Sequence, residues 1–197
     1  MRDGREDTDP TRAADVADAM RVLARERFLP QEQRARAHED RPLPLWHGQT
    51  SSQPSTVAAM LRLLQVPVGA RVLDVGSGSG WTTALLAHLT GPTGAVVGVE
   101  RVPDLVAFGR ANLDRVRRRW ARIEAAVADT LGWPTGAPYD RILVSAEATE
   151  LPTSLVDQLG PTGRMVIPVD GEMVLVVKDG GPPTLSRHGY YRFVPLR

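Results

Sequence analysis

Hydrophobic positions follow one spacing in the first third of the chain and another in the rest. Val16, Met20 and Leu23 fall at i, i+4 and i+7, which predicts a helix from Ala13 to Arg27. The stretch "FLPQEQRARAHEDRPLPL" contains Pro30, Pro42 and Pro44 and reads as an irregular connector. Val57, Met60, Leu61 and Leu64 then share one helical face. From Arg71 short apolar runs alternate with amphipathic segments: "RVLDV" is a strand and "WTTALLAHL" a helix. "AVVGVE" is the next strand, and Leu105 to Trp120 a helix with Val106, Leu113, Val116 and Trp120 on one side. "IEAAVA" and "DRILVS" are further strands, followed by a short helix in "LPTSLVDQL". "RMVIPV", "MVLVVK" and "YYRFVPL" leave no room for helices between them and should pair antiparallel. The pattern predicts an α/β fold: a doubly wound, seven-stranded, mostly parallel Rossmann-like sheet with antiparallel edge strands and a small N-terminal helical and irregular extension. Residues 1–12 are polar and expected to be disordered, leaving 13–197 as a single domain.

Composition narrows the setting more than the chemistry. A chain of 197 residues with 42% apolar content can bury about 70% of its unfolded surface. It has no cysteine, so disulfides and thiolate metal sites are excluded; a cytoplasmic location is expected. No metal site is expected at all. No apolar run nears the ~20 residues that cross a membrane, and the charged N-terminus lacks the apolar core of a signal peptide. A net charge of +1 gives no bulk attraction to nucleic acid. The basic run "RVRRRWAR", Arg115 to Arg122, reads as a solvated helix face, because no aromatic platform or second basic cluster accompanies it. The expected partners therefore include neither nucleic acid nor membrane, and the sequence does not specify an oligomeric state.

Candidate chemistry starts at "VLDVGSGSG". Gly76, Gly78 and Gly80 lie between a strand and a helix, where glycine permits a tight turn and close backbone approach to a ligand. Ser77 lies within the same loop. Glu100 ends the next strand, about 20 residues on, where an acid can accept ribose hydroxyls. The spacing is G-x-G-x-G, not the dinucleotide G-x-G-x-x-G. Asp74 just before it disfavours a pyrophosphate but suits a cationic sulfonium and amino group. These features favour S-adenosylmethionine over NAD, and the fold resembles class I S-adenosylmethionine-dependent methyltransferases.

A finer resemblance follows from "EDRPLPLWHGQTSSQP", "VLDVGSGSGW", "PYDRILVSAEATELP", "GPTGRMVIPV" and "RFVPL". In this order, from about Val22 to Leu196, they are similar to the protein-L-isoaspartate O-methyltransferases. No D/N/S-P-P-aromatic motif of the amino-methyltransferases of DNA bases follows the fourth strand. The resemblance implies that Ser52 faces the acceptor carboxylate and that Thr50 and Ser51 line the cofactor and substrate cleft. It also implies that Glu100 holds the ribose and that Asp129, with Thr130 beside it, lies in the segment along the adenine. Taken without the family, Ser52 before Pro54 reads first as an ordinary helix cap. His47 and His188 have no ligand-like spacing and read as surface or hydrogen-bonding residues, and Glu39 and Asp40 as capping or arginine-pairing acids.

The resemblance implies carboxyl methylation of isoaspartyl residues, with the ester collapsing to a succinimide that partly reopens as aspartate. Several positions depart from the family pattern. Its Gly-Asp-Gly is Ala128-Asp129-Thr130 here, its small residues after the fourth strand become Ala146-Glu147-Ala148, and Trp46 replaces a glycine. The chain is also short at both ends. A carboxylate at Glu147 is expected to repel an anionic acceptor unless an arginine neutralises it. Two alternatives remain open: a relative that methylates an aspartate of a dedicated peptide, and a non-catalytic S-adenosylmethionine-binding module.

Overall fold

The computed structural model describes residues 10–197. Helix α1 (Pro10–Val22) packs with α2 (Pro54–Leu64) and α3 (Trp81–Thr90). Between α1 and α2 the connector forms two 3-10 turns, Arg25–Phe28 and Gln31–Arg36, and a two-stranded ribbon of β1 (Leu43–Pro44) and β2 (Thr50–Ser51). The remaining elements are β3 (Arg71–Val75), β4 (Ala95–Glu100), α4 (Pro103–Val116), β5 (Ala121–Ala125), β6 (Tyr139–Val144), α5 (Thr153–Val156), β7 (Leu159–Val169), β8 (Glu172–Val177) and β9 (Thr184–Tyr190). The sheet runs β5-β4-β3-β6-β7-β8-β9. Its first five strands pair in parallel, and β8 and β9 add antiparallel.

Alternation along each strand divides the core into two layers. Val72, Leu143 and Val166 face the helices α1–α4, while Leu73, Ile142 and Met165 face α5 and the loop before β6. Parallel strands β3 and β6 pair to their carboxyl ends, and beyond them the chain leaves β3 for one side of the sheet and β6 for the other. That divergence is where open α/β sheets bind ligands. No helix among the described residues is long and apolar enough to cross a membrane.

Three expectations are corrected. The tail 1–12 lies outside the described residues except for its last three, which form the first turn of α1. That helix ends at Val22, five residues early, because Arg25 turns inward. The seventh strand is "TLSRHGY" and not "YYRFVPL". As the free edge of the sheet, β9 is mostly exposed and carries no apolar alternation to reveal it. The segment after it returns over the sheet's end, with Pro195 bridging Glu147.

Arg25 is only 4% exposed. Its guanidinium donates to Ser51 Oγ (3.1 Å) and Ser51 O (2.8 Å), to Glu39 O (3.1 Å) and to Arg41 O (3.0 Å). It also lies 5.7 Å from the centre of the Trp81 ring, whose Nε1 donates to Leu23 O. Burial lowers its pKa to about 10, so it remains charged at neutral pH. Replacing Arg25 with Met should destabilise the fold by about 2–4 kcal/mol, since it leaves three carbonyls and a hydroxyl without their donor. Urea unfolding measures this, and a loss below about 1 kcal/mol would mean that water satisfies those groups equally well.

Candidate active site

The loop after β3 is built on backbone conformations closed to most side chains. Gly76, Gly78 and Gly80 have φ of +77°, +52° and +82°. A Cβ on Gly80 would stand 3.1 Å from Gly109 O of α4, so glycine is required there for both conformation and space. The amides of Gly76 and Ser77 both donate to Val99 O, fixing the loop to the neighbouring strand. Glu100 is buried at the end of β4. Its Oε2 accepts from the Gly78 N–H at 2.9 Å, and its Oε1 from Arg101 and Val102 N–H at 2.8 and 2.9 Å. The carboxylate thereby ties the loop to the start of α4, and Oε2 keeps capacity for a further donor.

Asp74 has 0% exposure and lies beneath the loop, not on a cleft wall. Its Oδ2 accepts the hydroxyls of Thr82 and Thr83, both at 2.7 Å, in the first turn of α3. Its Oδ1 has no partner among the described residues, and neither does the buried Ser77 Oγ above it. Burial pushes the Asp74 pKa up to about 6, against the two threonine bonds and with a smaller contribution from the Glu100 charge. A buried, partly unpaired carboxylate is stabilised by a cation placed nearby.

On the other wall, the turn of the ribbon has His47 and Gly48 at positive φ, as in a type I′ hairpin turn, closed by Gln49 N–H to Trp46 O. His47 Nε2 meets Asp104 Oδ2 at 2.6 Å, and the rings of Trp46 and Phe108 lie 4.9 Å apart. Trp46 therefore clips the ribbon to α4. His188 pairs with Ser186 on β9.

The ribbon delivers Thr50, Ser51 and Ser52 to the glycine loop. Ser51 is buried and its oxygens accept from Arg25, which gives it a structural duty. The start of α2 is capped from a distance: Asp40 Oδ1 accepts from Ser55 N–H at 2.9 Å and Oδ2 from Gln53 Nε2 at 3.1 Å. Those bonds hold the Asp40 carboxyl below the usual carboxylate range. Gln53 is the capping position. The Ser52 hydroxyl, half-buried, makes no hydrogen bond within the described residues.

Two cavities meet at this point. One is lined by Gly76, Gly78, Glu100, Thr130, Leu131 and the tail from Val194. The other, of about 680 Å³, is lined by Ser52, Gln53, Thr56 and Tyr190 to Val194. Thr50 and Ser145 line both. Ser145, one residue past β6 with its N–H on Val75 O, carried no motif in the sequence; its position at the strand divergence is the signal that finds it. Thr130 and Leu131 are fixed from behind, where Gln158 accepts from Trp133 N–H and donates to Leu131 O. Asp129 adopts φ +57°, is exposed and lines neither cavity, while its neighbour Thr130 does.

Glu147 is diverted from the acceptor side. Its Oε1 accepts from Gly171 N–H and its Oε2 from Phe193 N–H, both at 3.2 Å. Its backbone bonds Val194 O and Leu196 N–H. The acid expected to repel an anion instead buckles the C-terminal segment across both cavities. Among the described residues no group of His, Cys, Asp and Glu could hold a metal ion.

The cleft fits the cofactor class expected from the sequence. Ser77 Oγ and Asp74 Oδ1 are orphaned polar atoms buried in and beneath the glycine loop that borders it, Glu100 has spare acceptor capacity, and Leu131 and Val99 offer apolar walls to a flat ring. Comparison with known proteins agrees. The sequence profile described as protein-L-isoaspartate(D-aspartate) O-methyltransferase matches residues 6–197. A protein-L-isoaspartate O-methyltransferase of Methanothrix thermoacetophila is 47% identical over 184 residues, 92% of this chain and 87% of that one. One of Methanopyrus kandleri is 46% identical over 188 residues, 92% and 82% of the two chains. A Plasmodium falciparum protein described as a protein-L-isoaspartate O-methyltransferase, solved with S-adenosyl-L-homocysteine, has a TM-score of 0.82 at 29% identity, covering 93% of this chain and 90% of that one.

The raised pKa of Asp74 predicts a pH signature. Its folded value of about 6 exceeds the ordinary 3.8, so the folded protein holds the proton more tightly than the unfolded chain. Its contribution to stability is full below about pH 4 and is lost as pH rises through about 6. Asp74→Asn cannot ionise and should gain stability relative to wild type over that interval, levelling off near pH 7. Chemical denaturation of the ligand-free protein across this range measures the gain, and a difference that stays constant with pH would remove burial as the dominant influence on Asp74.

Proposed function

The chain belongs to the protein-L-isoaspartate(D-aspartate) O-methyltransferase family, and on that premise we propose that it methylates the free carboxylate of isoaspartyl residues in proteins and peptides, using S-adenosylmethionine. In the cleft between the glycine loop and the C-terminal segment, S-adenosylmethionine supplies an electrophilic methyl group. Glu100 is assigned to the ribose hydroxyls, Thr130 and Leu131 to the adenine side, and Asp74 to neutralising the cationic end from below. The larger cavity takes the acceptor, and Thr50 and Ser145 stand on the wall the two share.

Little acid–base chemistry is asked of the chain. A carboxylate is ionised at pH 7 and already nucleophilic, so no general base is needed. The protein's work is to bind, orient and keep water out, and positioning of this kind is worth up to ~7–11 kcal/mol. Ser52 is assigned to the acceptor carboxylate as a neutral donor that orients it without removing its charge. The observation that carries this assignment is the unpaired Ser52 hydroxyl on the cavity wall, next to a helix start that Asp40 caps in its place.

The departures that suggested a private peptide pocket support no separate reading. Glu147 is occupied with the tail and Trp46 with Phe108. An intact glycine loop, Glu100 and Ser52 also argue against a binding module without activity.

The reading is tested by transfer of labelled methyl to matched peptides containing isoaspartate or normal aspartate. Incorporation into the isoaspartyl peptide alone is expected, and equal labelling of both would overturn it. Ser52→Ala should lower kcat/KM about 10- to 150-fold, as for loss of one hydrogen bond to a charged group, with the melting temperature nearly unchanged. Asp40→Ala should do the reverse, lowering the melting temperature while turnover per folded molecule persists. A destabilised but fully active Ser52 variant would return that serine to a structural role.

A further inference from the structure

The acceptor cavity has an electrostatic character that the family assignment does not supply. Of the residues that line it, Arg192 alone carries a charge at pH 7, and no acid lines it. Arg192 is exposed and has no ion-pair partner among the described residues. Acids on the segments around it are engaged elsewhere: Asp40 with Ser55 N–H and Gln53, Glu147 with Gly171 N–H and Phe193 N–H, and Glu172, opposite Tyr190, with Arg187. The same Glu147 buckle that fixes Phe193 and Val194 holds the backbone on the C-terminal side of Arg192, so the guanidinium is presented from an anchored segment.

Taking the methyltransferase reading as given, we infer that Arg192 determines specificity, favouring acceptor peptides that carry an acidic side chain beside the isoaspartyl residue and disfavouring basic ones. The cavity, at about 680 Å³, is in the range that encloses a whole drug-sized ligand, so it holds more of a peptide than the reacting residue. The reacting carboxylate is a poor partner for this guanidinium. A bidentate arginine would occupy its lone pairs and draw off the charge that makes it nucleophilic, whereas the Ser52 hydroxyl orients it through one neutral bond. Arg192 is left for a second anion, and its planar fork matches a carboxylate. A lysine or arginine of the substrate at the same place meets a like charge.

Capped isoaspartyl peptides, acetylated and amidated so that no terminal charge contributes, test this with Glu, Gln or Lys at the position on either side of the reacting residue. For wild type, kcat/KM should fall in the order Glu, Gln, Lys, with Glu over Lys by about 5- to 20-fold and most of the difference in KM. The preference should shrink as ionic strength is raised. Arg192→Gln should flatten the series and Arg192→Glu should invert it, while both melt like wild type because the side chain is exposed and unpaired. Equal rates for the Glu and Lys peptides, or an unaltered order in Arg192→Glu, would overturn the inference and leave the methyltransferase reading standing. No methylation of any isoaspartyl peptide would overturn both.

Discussion

The site depends on one buried cation. Arg25 sits where four pieces of chain converge: the end of α1, the 3-10 connector, the ribbon and the first turn of α3. A segment rich in proline supplies few internal hydrogen bonds, and its carbonyls must find donors elsewhere. One guanidinium has five N–H groups in a fixed plane, enough to serve Glu39, Arg41 and both oxygens of Ser51 together. Ser51 is thereby locked, and its neighbours Thr50 and Ser52 are aimed at the cavities. Burying the charge is tolerable because each donor meets an oxygen and Trp81 presents a ring nearby.

The cofactor side is made differently, by crowding regular elements together until only glycine fits between them. Gly80 meets Gly109, and the amides of Gly76 and Ser77 are spent on β4. Among the polar atoms left unpaired at this crowded junction are Asp74 Oδ1 and Ser77 Oγ, in and beneath the loop, and Asn112 Oδ1 on α4. Groups of this sort lower the stability of the ligand-free fold, and a cation arriving above them relieves the penalty. The raised pKa of Asp74 and its orphaned Oδ1 both follow from the burial of that carboxylate.

How far the sequence can be read follows from which signals are local. The glycine loop, Glu100 and the parallel strands were legible because turn chemistry and apolar runs act over a few residues. The edge strand β9 was not, since a solvated edge has no buried face to impose alternation, while "YYRFVPL" has apolar residues but, past Tyr190, bonds mainly to Glu147 and Gly171 and not to a sheet strand. Ser145 was missed because its place depends on the chain leaving two paired strands for opposite sides of the sheet, and no motif encodes that. Glu147 was read as facing the acceptor when its partners are amides 24 and 46 residues away. Arg25 lay in what looked like the last turn of a helix, and its partners come from two separate segments.

Ser52 shows why a motif alone does not separate a structural serine from a functional one. A serine two places before a proline that opens a helix has the composition of a cap, and here the cap is needed, because Pro54 leaves the first-turn amides beyond it unpaired. The fold meets that need from fifteen residues upstream: Asp40 takes the Ser55 amide. A carboxylate suits the positive end of a helix better than a hydroxyl does, and it leaves the hydroxyl free. Asp40 is in turn positioned by the connector whose carbonyls Arg25 holds at Glu39 and Arg41, the residues on either side of it. The buried arginine therefore acts on the acceptor wall twice, by fixing Ser51 directly and by holding in place the acid that bonds the start of α2 beside Ser52.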